Sequence, residues 1–196
     1  QNIFDKAEQY ATVLRHQVNQ GKGQSLKTAL DYIQQQNSYG TVVTADADGQ
    51  HKIWDIFRAA NKASDNPNKL ILGVRAFTGK VPLRSRFGNS LTKALFKIQT
   101  GVEVADTQTG LRAFTTSLIP FMLRIEGNRY EYEMNMLLEA TKEYQILEVP
   151  IETVYINDNE GSHFRPIKDG LMIYKNIFKF ALSSLSSFVV DYVVYA

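Results

Sequence analysis

The chain has no cysteine among its 196 residues, which excludes a disulfide-stapled scaffold, a zinc ribbon and a cysteine nucleophile. Bulk charge is nearly absent as well: 22 Lys and Arg face 20 Asp and Glu, a formal net charge of +2. A nucleic-acid binder resting on an overall basic surface does not fit that balance, and no nucleic-acid partner is expected. No repeat, low-complexity tract or Pro/Gly-rich linker interrupts the sequence. The first sixteen residues lack the basic and apolar regions of a secretory signal and read as a helix followed by a short strand. What is present is one domain's length of chain, 44% hydrophobic, enough to bury a sizeable core.

The one long apolar run lies at the end, FALSSLSSFVVDYVVYA over residues 180–196, with Asp191 its only charge. A membrane span needs about 20 apolar residues. Just before it, Arg165, Lys168, Lys175 and Lys179 outnumber Glu160 and Asp169, a basic flank of the kind that marks the cytoplasmic side. The run is expected to begin a membrane helix. A buried C-terminal helix is the alternative, and Asp191 argues for it, because a carboxylate inside a bilayer is expensive unless paired.

Between the ends the hydrophobic period alternates between 3.6 and 2. Residues 25–35, 53–63, 90–100 and 133–143 read as helices. Residues 41–44 (TVVT), 69–74 (KLILGV), 145–150 and 153–156 read as strands, the last leading into a polar loop at 157–164. This order predicts an α/β fold with a mostly parallel sheet, with TVVT buried on both sides. Ligands of such sheets sit beyond the carboxyl ends of the strands, so chemistry is sought just after TVVT.

That position reads Ala45-Asp46-Ala47-Asp48-Gly49-Gln50-His51. Two carboxylates two residues apart make a hard oxygen site suited to Mg²⁺ or Mn²⁺ shared with substrate phosphates. An ordinary Asp/Gly turn accounts for the same letters equally well. A second cluster, Asp106-Thr107-Gln108-Thr109-Gly110-Leu111-Arg112, combines an acid, small polar groups, a Gly that admits close backbone approach and an Arg able to grip a phosphate. It reads equally as a structural loop with an internal Asp–Arg pair. Glu131 and Glu133 open a helix, where acids favour the dipole, and this role accounts for one of them. Gly161-Ser162-His163-Phe164-Arg165-Pro166 could hold a phosphate or be a solvated loop. Asn19-Gln20-Gly21-Lys22-Gly23 looks like a phosphate-cradling turn but lacks P-loop spacing, so a helix-start turn is the plainer reading. In residues 77–87 (FTGKVPLRSRF), cations mixed with apolar groups suit a membrane surface or a solvated loop with buried anchors.

Taken in order, NxGKG, TVVTADADGQH, LGVR, RSRFGN, DTQTGLRAF, YEYE, SHFRP and the apolar tail resemble family-2 glycosyltransferases of GT-A fold. Within them the resemblance is to polyprenyl-phosphate enzymes of the dolichol-phosphate-mannose synthase type. The bacterial branch often continues into a GtrA-like membrane domain, whose beginning the tail resembles. The resemblance implies a catalytic domain over residues 1–179, lacking the first strand–helix–strand portion and its base-reading motif, and a membrane segment from residue 180. It implies a nucleotide-sugar donor (UDP or GDP), a polyprenyl-phosphate acceptor, and a place at the cytoplasmic face of the cell membrane, with homo-oligomers allowed. The product would serve cell-wall or surface polysaccharide, with glucose the default sugar and inversion the expected stereochemistry. By carry-over, Asp46, Asp48 and Gln50 hold Mg²⁺ or Mn²⁺, and Asn19, Lys22, Asp46 and Arg112 hold the donor. Arg75, Arg84, Ser85, Arg86, His163 and Arg165 hold the acceptor phosphate, and Asp48, Asp106 and Glu133 form the catalytic set. Two other classes remain open: a non-catalytic GT-A binding module, and a metal-dependent phosphoryl-transfer enzyme using Asp46 and Asp48.

Overall fold

The structure, a computed structural model, describes residues 3–37, 40–75 and 83–152, with backbone alone over 83–91. The strand expected at 153–156, the loop at 157–164 and the tail at 180–196 lie outside the described residues, as does the 77–82 part of the mixed loop.

The sheet is organised by β2 (Lys69–Arg75), whose five central residues are all buried. Successive side chains point to opposite faces. Leu70, Leu72 and Val74 therefore enter one core, while Ile71 enters another. Burial on both faces is why this strand reads as an unbroken apolar run. The four strands among the described residues lie in the order β1 (Thr41–Thr44), β3 (Arg112–Thr115), β2, β4 (Gln145–Ile151). β2 and β4 are parallel, in register from Lys69↔Gln145 to Arg75↔Ile151. β3 is antiparallel to both neighbours, with Thr41↔Thr115 and Thr44↔Arg112 against β1 and Ile71↔Ala113 against β2.

The α/β class is thus as expected, but the sheet is mixed. The cause is β3, four residues at the end of a polar motif and too short to show a period. The same strand changes the environment of β1, which lies at the edge of the described sheet and buries only Val42. The short strand expected within the first sixteen residues does not form: after α1 (Ile3–Ala7) the chain turns, and Arg15 reaches back to Asp5 at 3.0 Å and Glu8 at 2.8 Å.

On one face of the sheet lies α3 (Ile53–Ser64). Ala59 and Ala63 are wholly buried and, being small, let the helix approach Ile71, Ala113 and Val149 closely. On the other face α2 (Lys22–Gln35), α4 (Leu83–Thr100), α5 (Ile119–Arg124) and α6 (Glu131–Glu143) close the larger core around Leu30, Phe96, Phe114, Tyr132 and Leu137. The Tyr132 hydroxyl donates to the Met122 carbonyl at 2.9 Å, and burial raises its pKa above the usual phenol value. Among the described residues no helix is long and apolar enough to cross a membrane.

Candidate functional site

Because β3 runs against its neighbours, its first residue, Arg112, sits beside the last residue of β1, Thr44. The loop entering β3 and the loop leaving β1 therefore meet at one edge of the sheet. Thr44 Oγ1 donates to the Gly110 carbonyl at 3.1 Å and ties the two loops together. Gly110 has no side chain, and Asp46 uses the space: a Cβ there would lie 2.2 Å from Asp46 Oδ2 and 2.6 Å from its Cγ. The carboxylate of Asp46 is thus seated on the backbone of the DTQTG motif.

Its other oxygen is held from a third element. Lys22 Nζ lies 2.6 Å from Asp46 Oδ1 and 2.7 Å from Glu133 Oε2. Burial alone would lower the lysine's pKa, but the charges of Glu133 and Asp46, with their hydrogen bonds, outweigh it and raise the value. Lys22 is a full cation at neutral pH. Its position follows from the two flanking glycines. Gly21 adopts φ +96°, and its N–H donates to Asn19 Oδ1 at 2.9 Å. Gly23 packs directly on the backbone of Asn128 and Arg129. Asn19, read from the sequence as a donor ligand, fixes this turn.

The two acids opening α6 divide their roles. Glu131 Oε1 accepts from the N–H groups of Asn128 at 3.0 Å and Arg129 at 3.1 Å, satisfying donors at the helix start. Glu133 faces Lys22. Asp106 is 0% exposed and pairs with Arg75 at two points, Nε at 2.6 Å and Nη2 at 3.2 Å. It also accepts the Gln108 N–H at 3.1 Å. Its carboxylate is engaged in holding Arg75 and its own loop, an arrangement poorly suited to abstracting a proton.

Arg112 lies elsewhere than the sequence reading put it. It is 1% exposed and points away from the cavity, donating to the carbonyls of Thr109 at 3.2 Å and Glu133 at 2.6 Å. It braces the DTQTG loop against α6 from behind, because its place in β3 aims it at the same face as Phe114. Its Nη2 is buried without a hydrogen-bond partner among the described residues. Arg84, Ser85 and Arg86 fall in the first turn of α4, where only backbone is described, and His163 and Arg165 lie outside the described residues.

Asp46, Gln50, His51, Arg75, Gln108, Thr109, Gly110, Ile151 and Glu152 line one cavity at this edge. His51, Gln108 and Glu152 were not singled out from the sequence; a usable signal for His51 was its place in the DADGQH run. His51 Nδ1 is buried with no partner among the described residues. The Asp48 carboxylate accepts the Gln50 N–H at 3.0 Å across a turn in which Gly49 has φ +76°, so the turn reading holds, and it does not exclude the ligand reading. Among the described residues no three His, Cys, Asp or Glu side chains converge as a closed metal cage. Mg²⁺ and Mn²⁺ need no such cage, since one or two carboxylates completed by water and phosphate oxygens suffice. The seat of Asp46 on Gly110, with Asp48 and the Gln50 amide close by in sequence, fits that kind of ion.

The layered, mixed sheet with paired aspartates at the end of an edge strand has the GT-A architecture. Glucosyl-3-phosphoglycerate synthase from Mycobacterium tuberculosis, solved with Mn²⁺, UDP and phosphoglyceric acid, superposes with a TM-score of 0.58 at 17% identity over 86% of this chain and 55% of that one. Its complex with UDP gives 0.56 at 18% identity, again over 86% of this chain and 56% of the other. At such identity the likeness speaks for the fold alone. The glycosyl transferase family 2 profile matches residues 2–124, and the chain belongs to that family. A UDP-N-acetylglucosamine–dolichyl-phosphate N-acetylglucosaminyltransferase from Methanococcus voltae is 31% identical over 148 residues, 72% of this chain and 59% of that protein. An uncharacterised protein of Methanocaldococcus jannaschii is 30% identical over 153 residues, 73% of this chain and 61% of its own length. The chain thus spans about three fifths of these two relatives.

Proposed function

We propose that the protein transfers a sugar from a UDP-sugar to a polyprenyl phosphate. The observation that carries this reading is the convergence of Asp46, Lys22, Glu133 and the Arg75–Asp106 pair at one sheet edge. The acceptor class is supported by the archaeal relative, whose name specifies dolichyl phosphate. The donor class is supported by that name and by the UDP and UDP-glucose complexes of the mycobacterial enzyme. Asp46, Asp48 and Gln50 would hold a divalent ion, which when bound stabilises charge on the departing diphosphate. Lys22 supplies a fixed cation beside the same phosphates. Glu133 orients that lysine, and Asp106 aims Arg75 at the cavity, where a guanidinium suits a phosphate. A phosphate monoester has its second pKa near 6, so the attacking oxygen is largely ionised at neutral pH and needs no strong general base. A single displacement with inversion is the stereochemistry expected by analogy with the family.

The test is release of UDP by the full-length protein with and without a short-chain polyprenyl phosphate. Acceptor-dependent release is expected. Release of UMP with sugar 1-phosphate would indicate phosphoryl transfer to water, UDP release that ignores the acceptor would indicate sugar transfer to water alone, and binding without release would indicate a non-catalytic module; each of these results overturns the proposal.

The reading includes action at the cytoplasmic membrane face, with residues 180–196 as the membrane segment. Support comes from the start of α3, next to the cavity, where Ile53, Trp54 and Phe57 are exposed together, Trp54 to 77%. Tryptophan favours a bilayer interface, and the neighbouring cations Lys52 and Arg58 are balanced by their partners Glu152 and Asp55. Trp54 is the only tryptophan, so its emission reports on this surface alone. A blue shift on adding anionic vesicles is expected; emission that stays water-like while the protein sediments with the vesicles would show that this face stays clear of lipid.

A further inference from the structure

Asp46 cannot take up a second cation without altering its contact with the first. One oxygen rests on Gly110 and the other holds the Lys22 ammonium at 2.6 Å, while Glu133 stands 2.7 Å from the same ammonium as a ready alternative partner. We propose that Lys22 is an exchangeable counter-cation of Asp46: a divalent ion arriving at Asp46 and Asp48 shifts the ammonium onto Glu133, where it faces the donor's diphosphate. This inference rests on reading Asp46 and Asp48 as the carboxylates that hold the metal.

The charges give the exchange its direction. Asp46, Asp48 and Glu133 contribute three negative charges and Lys22 one positive. A divalent ion brings the group to neutrality, the state best able to accept a polyanionic diphosphate. Without the ion, Lys22 keeps the nearest two carboxylates from repelling one another, which holds Asp46 on Gly110 ready for use. Without Lys22, the group holds a bare ion more tightly, because a like charge a few ångströms away has been removed. The same loss leaves the ion-loaded group with a net negative charge, which opposes the diphosphate.

Lys22 therefore has opposite effects on its two ligands, and a merely structural lysine would not. In Lys22→Met, Mn²⁺ binding to the donor-free full-length protein, followed by the loss of the free-ion EPR signal, is expected to tighten about tenfold. UDP binding at saturating Mn²⁺, followed by calorimetry, is expected to weaken by about the same factor. Lys22→Arg keeps the charge and is expected to stay close to the parent in both. Lys27→Met, a cation placed over the Tyr132 ring at 5.1 Å and away from this group, should change neither. Should Lys22→Met fail to fold, Lys22→Gln provides the reading: it removes the same charge but keeps a polar group for the two carboxylates, and Mn²⁺ is again expected to bind more tightly. Unchanged or weakened Mn²⁺ affinity in a folded Lys22→Met overturns the exchange and leaves the metal assignment standing. If neither the parent nor the variant binds Mn²⁺, the assignment of Asp46 and Asp48 falls, and the exchange with it.

Discussion

Gly110→Ala is expected to lower sugar transfer about 10²-fold or more while leaving the thermal stability of the protein nearly unchanged. The backbone at Gly110 is one that alanine adopts without strain, so the added methyl acts only through what it touches. What it touches is Asp46, at 2.2, 2.6 and 2.9 Å from Oδ2, Cγ and Oδ1. The end of an aspartate side chain moves at little energetic cost, and it moves off the position where Lys22 and the ion are to meet it. The variant should match Asp46→Asn in steady-state turnover and in lost Mn²⁺ affinity, with a normal melting curve. Near-normal turnover in a folded Gly110→Ala protein would remove Asp46 from the reaction.

Gly23→Ala should behave in the opposite way, losing about 2–3 kcal/mol of stability from overpacking. Here the methyl would lie 2.5 Å from Tyr132 Cβ and 2.9 Å from both the Arg129 oxygen and the Asn128 carbonyl carbon. These atoms are backbone or the rigid root of a buried ring, and they cannot step aside. The first turn of α2 must lift from α6, breaking the bond from the Gln24 N–H to the Asn128 carbonyl at 2.9 Å. A loss of that size lowers Tm by roughly 4–12 °C in a chain of this length. Thermal unfolding followed by circular dichroism decides it, and an unshifted Tm would mean that α2 does not seat on the loop before α6 as described.

The contrast shows which parts of the molecule can be read from sequence. TVVT, KLILGV and the period of α3 declare themselves because both faces, or one regular face, are buried, and burial writes a pattern. Asp46 and Asp48 are legible for a different reason: their position at the end of a β-branched run is itself a structural statement. β3 is not legible, since RAFT carries an arginine at a wholly buried position and four residues show no period. Reading the motif as one loop placed Arg112 among the phosphate ligands, whereas strand alternation turns it inward. Lys22 and Gly110 are legible only in part: the resemblance puts Lys22 with the donor and the motif gives Gly110 a close backbone approach, but the partner of each is distant in sequence. That Lys22 lies between Asp46 and Glu133, and that the Asp46 carboxylate takes the place of a Gly110 side chain, emerges only from the folded chain.

The reversed direction of β3 has a consequence in time as well as in space. Its pairing with β1, like that of β2 with β4, joins segments about 70 residues or more apart, and such closures cost loop entropy before they return any contact. Asp46 has no seat until Gly110 is delivered by that pairing. A chain in which β1 and β3 have not closed carries both aspartates on an open, solvated loop. On the proposed reading of Asp46 and Asp48 as ion ligands, ion uptake would therefore report the closure of β3 against β1.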